Sequence, residues 1–193
     1  MAIFGRKSIN EVFTPRNSKV NPVMYVRREN LEARLNRSVC GSMHTFLFGE
    51  SGTGKTWLYK KVFQENDIKF VVANCASAAI KASLTDEIHS VCVKPGTQNK
   101  EGFTQTTSAG MSAGATAEIA QTNNYNIVQS DKLLQAFAAL SKRTTNRPSV
   151  IVLDNVEMIF RDEALMQELS NIIILLDDDR YASHGVKFVI VGV

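Results

Sequence analysis

Residues 46–56 read FLFGESGTGKT, and this stretch decides the fold of the chain. It contains the pattern Gly-x-x-x-x-Gly-Lys-Thr, which is typical of a phosphate-binding loop. Such a loop curls tightly so that successive backbone N–H groups surround a phosphate chain. Side chains would block that close approach, and glycines therefore stand at Gly49, Gly52 and Gly54.

The two residues that close the pattern supply charge and a metal ligand. Lys55 is a point cation that reaches β- and γ-phosphates, and Thr56 offers a hydroxyl to Mg2+. The dipole of a helix that begins near Gly54 would stabilise the same anion by about 0.3–1 kcal/mol. The predicted nucleotide-binding set is Gly49, Glu50, Ser51, Gly52, Thr53, Gly54, Lys55, Thr56 and Trp57.

The neighbouring sequence gives the loop the context that it requires. Residues 44–48 are a short β-prone run, and residues 57–63 follow with Leu58 and Val62 at helical spacing. Strand, glycine loop and helix in this order distinguish a real phosphate loop from a chance match.

The rest of the chain predicts alternating strands and helices. Buried strands are expected at 68–74, 149–154 and 186–193. Helices are expected at 25–35, 77–91, from 130 to 147 and from 162 to 176. Their inward positions are Leu31 and Leu35; Ile80, Leu84, Ile88 and Val91; Leu133, Leu134, Phe137 and Leu140; and Leu165, Leu169, Ile172, Ile173 and Leu176.

This alternation indicates an α/β fold. We predict a three-layer, mainly parallel sheet with helices on both faces. Residues 1–22 are predicted to be a basic extended arm, and residues 23–193 one nucleotide-binding domain. A polar stretch at 95–126 is interpreted as a mobile insertion, in preference to a β-hairpin that needs a partner.

Asp154 ends a buried strand, so the fold places it at the same sheet edge as the loop. We expect it to hold Mg2+ through water, opposite Thr56. Glu157 could polarise the attacking water, whereas Asn155 cannot accept a proton at neutral pH. Residues 177–179 are three aspartates, and we interpret them as a solvated turn rather than a metal site.

Charge and cysteine content narrow the range of functions and locations that the sequence allows. The net charge of +3 does not by itself indicate nucleic-acid binding. The first 37 residues are rich in Lys and Arg, and there we favour a solvated arm over a binding surface. The three cysteines and three histidines lack zinc-ligand spacing. The odd number of scattered cysteines suggests a reducing, cytoplasmic location. The sequence has neither a secretory signal nor an apolar run of membrane-spanning length.

The chain resembles the nucleotide-binding core of the AAA+ ATPases and of their relatives, the STAND ATPases. GESGTGKT at 49–56 matches the Walker A loop, and VIVLDNVE at 150–157 resembles Walker B. YVRRENL at 25–31 resembles the segment that closes over adenine, although Arg27 stands where a glycine is common. Tyr25 and Val26 are therefore expected next to the base. The final strand resembles the one that leads to the sensor 1 residue.

This resemblance implies an ATPase that binds ATP and Mg2+ and acts as a motor or a nucleotide switch. Lys55, Asn155 and Glu157 are the expected catalytic positions, and Asn155 in place of the common Glu points to slow hydrolysis. We expect the chain to stop before the lid and the arginine finger, either as the amino-terminal part of a larger ATPase or as a shortened one. ATP is favoured over GTP because the only near match to the guanine motif, at 99–102, lacks its Asp.

Other readings remain open for the partners. A homo-oligomer and a DNA or protein client are compatible with the sequence. The main alternative is a nucleic-acid-binding module with a silent ATP site, motivated by Arg6, Lys7, Arg16, Arg27 and Arg28. A small-molecule kinase is disfavoured because no arginine-bearing lid is recognisable.

Overall fold

Four short apolar strands form the centre of the part of the molecule that the structure describes. This computed structural model describes residues 8–12, 19–93, 131–141 and 148–193. The strands are all parallel and lie in the order β1-β4-β3-β2. They comprise β1 (Thr45–Phe48), β2 (Lys69–Asn74), β3 (Ser149–Asp154) and β4 (Val186–Gly192).

Burial explains why these segments form a parallel sheet. In β3, residues 149–153 are all buried, as expected for a strand that is covered on both faces. The register pairs Asn74 with Asp154 and Phe48 with Gly192. The carboxyl ends of the four strands therefore lie along one edge of the sheet.

Helices cover both faces of the sheet, which confirms the predicted three-layer α/β fold. One face packs against α2 (Glu29–Cys40) and α3 (Lys55–Glu65) through a core that includes Val39, Val62 and Val152. The other packs against a 3-10 turn (Val156–Ile159) and five helices through a core that includes Ile88, Phe137 and Ile151. Those helices are α4 (Cys75–Lys81), α5 (Leu84–Cys92), α6 (Lys132–Ser141), α7 (Glu163–Leu175) and α8 (Asp179–Ala182).

The single helix predicted over 77–91 is wrong, because the chain forms two helices there. Ala82 takes a left-handed conformation with φ of 52°, and the Ser83 side chain caps α5 by accepting from the Asp86 N–H. The break turns Ile80 out of the predicted buried stripe, and it is 89 % exposed. The Ser-x-x-Asp spacing was the sequence signal for this helix start.

Two other predicted faces need correction. The predicted helix over 25–35 begins only at Glu29, and it buries Leu35 and Val39 while Leu31 stays 44 % exposed. In α7, Ile173 is partly exposed, whereas the other predicted inward positions are buried. Asp178 follows α7, and its side chain caps α8 by accepting a hydrogen bond from the Arg180 N–H.

The leading arm contains a short helix where an extended chain was expected. In α1 (Ile9–Val12), Ser8 N–H donates to the Glu11 carboxylate, and Glu11 N–H donates to the Ser8 hydroxyl. This reciprocal pair is a capping box, which favours a helical turn. The predicted insertion at 95–126 lies outside the described residues.

Candidate functional site

The glycine loop between β1 and α3 has the conformation that its sequence predicts. Gly52 and Gly54 have φ of 81° and 79°, a region that L-residues rarely adopt. A Cβ on Gly54 would also lie 3.3 Å from an Arg28 guanidinium nitrogen. Gly54 is the N-cap of α3, so the amino end of that helix opens onto the loop.

Lys55 is held over the loop that precedes it. Its Nζ donates to the backbone oxygen of Gly49 over 2.6 Å and to that of Glu50 over 2.9 Å. The Thr53 hydroxyl also donates to the Glu50 oxygen, over 2.8 Å. The ammonium group is thereby kept at the mouth of the loop, where a phosphate would meet it.

Arg28 braces the loop from outside, a contact that no sequence pattern indicated. Its guanidinium donates to the backbone oxygens of Thr53, over 2.8 Å, and Gly54, over 3.1 Å. Tyr25 lies beneath it, with its ring 5.9 Å from the guanidinium carbon and 5.8 Å from Lys61 Nζ. The segment before α2 is therefore attached to the phosphate loop.

Asp154 is bonded to α3 through the phenol of Tyr59. Tyr59 donates to Oδ2 of Asp154 over 3.1 Å. Burial, followed by the charge and hydrogen bond of Asp154, raises the pKa of Tyr59. The Asp154 carboxylate is thus connected to the helix that also carries Thr56.

The two residues after β3 that were singled out from the sequence differ in their environment. Asn155 has φ of 61°, and its side-chain amide donates to the Asn74 side chain over 3.4 Å. Glu157 lies in the 3-10 turn, and its Oε2 is buried with no hydrogen-bond partner among the described residues. A buried acceptor of this kind can receive a hydrogen bond from a ligand or a water.

These groups line one cleft of about 490 Å3 at the carboxyl edge of the sheet. That volume lies within the range of small-molecule sites. Most of the predicted site residues are among its walls, together with some that were not predicted. The lining residues are Met24, Ser51, Gly52, Gly54, Lys55, Thr56, Trp57, Asp154, Asn155, Glu157, Val191, Gly192 and Val193.

The expected adenine neighbours are not on that lining. Val26 is 78 % exposed, and the Tyr25 hydroxyl donates to Glu32 over 2.8 Å. Met24, one residue earlier, is the member of this segment that lines the cleft. Gly49, Glu50 and Thr53 belong to the loop without lining the cleft.

The end of β4 lies between the loop and Asp154, because β4 separates β1 from β3. A Cβ on Gly192 would lie 2.6 Å from Val156 Cγ1 and 3.2 Å from the Phe48 ring. Only glycine fits that space without displacing a neighbour. The strand that was compared with sensor 1 therefore borders the cleft at Gly192 and Val193.

The donor set of the cleft fits a hard divalent cation. Burial, followed by the charges of Asp154, Glu157 and Glu87, raises the pKa of the Cys75 thiol to about 12, which reflects negative charge at this edge. Hydroxyl and carboxylate oxygens are the ligands that Mg2+ prefers. Thr56 and Asp154 would hold the ion. Within the described ranges, the cleft included, no group of three or more His, Cys, Asp or Glu is placed to hold a metal ion.

The basic residues near the amino end are partly engaged within the molecule. Arg27 forms ion pairs with Glu32, over 3.8 Å, and with Glu65, over 3.7 Å. Arg28 is bound to the loop. Arg6, Lys7 and Arg16 lie outside the described residues. None of the helices that the structure describes is long and apolar enough to cross a membrane.

The glycine loop, the strand-ending aspartate and the parallel sheet together define a P-loop NTPase fold. Residues 40–193 match the family model described as AAA domain. The chain therefore belongs to the AAA domain family.

A solved structure supports the same fold. The chain is similar to the Walker-type ATPase PABY2304 of Pyrococcus abyssi, with a TM-score of 0.54 and 15 % sequence identity. The match covers 92 % of this chain and 48 % of that chain, so this chain spans about half the length of that protein. The comparison with curated proteins found no match.

Proposed function

We propose that this AAA domain binds ATP together with Mg2+ and acts as a nucleotide switch that hydrolyses ATP slowly. One observation carries the proposal. The phosphate loop, Thr56 and Asp154 line one cleft. A triphosphate with its cation needs these groups together.

The chemistry that the residues would supply follows from their positions. The loop N–H groups and Lys55 would bind the phosphates, and Thr56 and Asp154 would hold the metal ion. The ion would neutralise charge on the β- and γ-phosphates. Glu157, whose buried Oε2 finds no hydrogen-bond partner in the described part of the chain, would orient the attacking water.

Slow turnover is expected because the position after Asp154 is an asparagine. Asn155 donates through its amide to Asn74 and has no basic group. A slowly hydrolysed γ-phosphate suits a switch, in which bound nucleotide biases a two-state element. Rapid turnover would indicate a motor instead.

Adenine is the proposed base, and Met24 would contact it, because Met24 is the described residue of the preceding segment that lines the cleft. Cys40, Cys75 and Cys92 form no disulfide bond, which agrees with the proposed reducing, cytoplasmic location. The nucleic-acid alternative is not favoured, because Arg27 and Arg28 are engaged in contacts within the molecule.

A direct binding experiment tests the proposal. A fluorescent ATP analogue with Mg2+ would be titrated into wild type, Lys55→Ala and Lys60→Ala. Lys60 lies on the same helix but does not line the cleft, so it controls for loss of charge. Loss of a charge-assisted bond of about 1.5–3 kcal/mol predicts weakening by roughly 10- to 150-fold in Lys55→Ala alone.

Equal affinity of the wild type and Lys55→Ala would contradict the site. A guanine analogue that binds as tightly as the adenine analogue would contradict the choice of base.

A further inference from the structure

Tyr59 combines complete burial with a polar group aimed at the proposed metal site. Its side chain is 0 % exposed, so solvent does not compete for the hydroxyl. Tyr59 follows Thr56 by three residues on α3, a spacing that brings two side chains to one helix face. Its hydroxyl donates to the Asp154 carboxylate.

The ring of Tyr59 is fixed by two other aromatic rings. Phe63 lies 5.8 Å away, centroid to centroid, in a tilted arrangement, and Phe70 lies 6.2 Å away, edge to face. Because the ring cannot move freely, the position of its oxygen is fixed as well. The hydroxyl is therefore preorganised and need not be ordered when a ligand binds.

We propose that Tyr59 is a positioning residue that orients the Asp154 carboxylate toward the metal ion. This inference rests on the ATP·Mg2+ function proposed above. The hydroxyl connects α3, which begins at the phosphate loop, to the end of β3.

The same hydroxyl orients the carboxylate. Tyr59 donates to Oδ2 of Asp154, while the backbone N–H of Asn155 donates to Oδ1 over 3.1 Å. Each oxygen keeps lone-pair capacity for a metal-bound water or for the ion itself. Partners of this kind typically change metal affinity by about 10- to 100-fold when they are removed.

The variant Tyr59→Phe removes one oxygen atom and retains the ring. Mn2+, a paramagnetic substitute for Mg2+, would be titrated into the full chain with ADP and followed by electron paramagnetic resonance. We expect Mn2+ to bind roughly 10- to 100-fold more weakly to Tyr59→Phe. The affinity of a fluorescent nucleotide in EDTA is expected to stay at the wild-type level, since the phosphate loop is intact.

Tyr181→Phe is the matched control. Tyr181 is 3 % exposed, and its hydroxyl donates to Asp131, outside the cleft. The control loses a buried tyrosine hydroxyl with a carboxylate partner, as Tyr59→Phe does. Both of its affinities are expected to match the wild type.

The outcomes separate this inference from the proposed function. If Tyr59→Phe binds Mn2+ as tightly as the wild type, the role of Tyr59 is refuted while the proposed function stands. The same conclusion follows if the affinity for nucleotide falls equally with and without the metal. A wild-type protein that binds no metal with its nucleotide overturns the proposed function and the inference with it.

A measurement on the wild type decides the question if Tyr59→Phe does not fold. The protein would be labelled with 13C at the Cζ of its four tyrosines, and the Tyr59 signal assigned by Phe variants of the others. The Tyr59 signal should shift between ADP with EDTA and ADP with Mg2+, because its acceptor carboxylate gains a cation. An unchanged signal overturns the inference.

Discussion

Replacing Gly192 with alanine is expected to destabilise the protein through one steric conflict. The added Cβ would lie 2.6 Å from Val156 Cγ1, well inside the contact distance of two carbon atoms, and 3.2 Å from the Phe48 ring. Val156 is 2 % exposed and cannot move outward without displacing the core. Overpacking of this kind costs about 1–3 kcal/mol of folding free energy.

Urea denaturation measures the cost, and a double-mutant cycle identifies its origin. Val156→Ala removes the methyl group that clashes, so the double variant should be less destabilised than the sum of the two single variants, by about 0.5–3 kcal/mol. Gly192 is not among the glycines with positive φ, so backbone strain does not add to its cost. Gly185→Ala gives the comparison of strain without a clash, since Gly185 has φ of 63° and no atom within 4 Å of a built Cβ. Additive effects at Gly192 and Val156, or a Gly192→Ala variant as stable as the wild type, would refute the steric argument.

Three further changes have definite expected outcomes. Arg28→Ala should weaken binding of the ATP analogue by about tenfold, since it removes two charge-assisted bonds to a partly exposed loop. Arg27→Ala should leave that affinity unchanged. Equal effects of the two substitutions in the same titration would contradict the proposal that Arg28 holds the loop. Glu168 accepts from Leu84 N–H, Thr85 N–H and the Ser83 hydroxyl, and although burial raises its pKa, these bonds outweigh burial and lower it. Glu168→Gln should therefore cost about 2 kcal/mol above about pH 4.3, the ordinary glutamate value, and progressively less as pH falls through the lowered pKa. Urea midpoints across pH check this, and Glu163→Gln, at an exposed site on the same helix, should leave the urea midpoint at neutral pH near the wild-type value. Glu157→Gln should lower kcat for ATP by roughly 100-fold or more while binding is retained; an unchanged phosphate-release rate would remove Glu157 from the mechanism.

The helix break at Ala82 illustrates what sequence reasoning could not decide. The spacing of Ile80, Leu84 and Ile88 favours one continuous helix. In the structure, Glu168 of α7 binds the amino end of α5, and this distant carboxylate stabilises a second helix start. Ser83 could be recognised as a helix cap from the sequence, but Glu168, to which its hydroxyl donates, lies 85 positions away.

The sequence by itself determined the layers of the fold and the phosphate loop. Both depend on local patterns: buried apolar runs form strands, and the glycine spacing at 49–56 encodes a backbone that can surround phosphates. The expectation that Asp154 lies near this loop required one further rule, that parallel strands end at one edge.

Only the tertiary structure decided which other side chains reach that edge. Arg28 meets Thr53 across 25 positions, Tyr59 meets Asp154 across 95, and Gly192 lies against Val156. These contacts depend on strand register and on how α2 and α3 pack on the sheet. Neither is encoded in a short stretch of sequence, because each is fixed by the summed packing of distant segments.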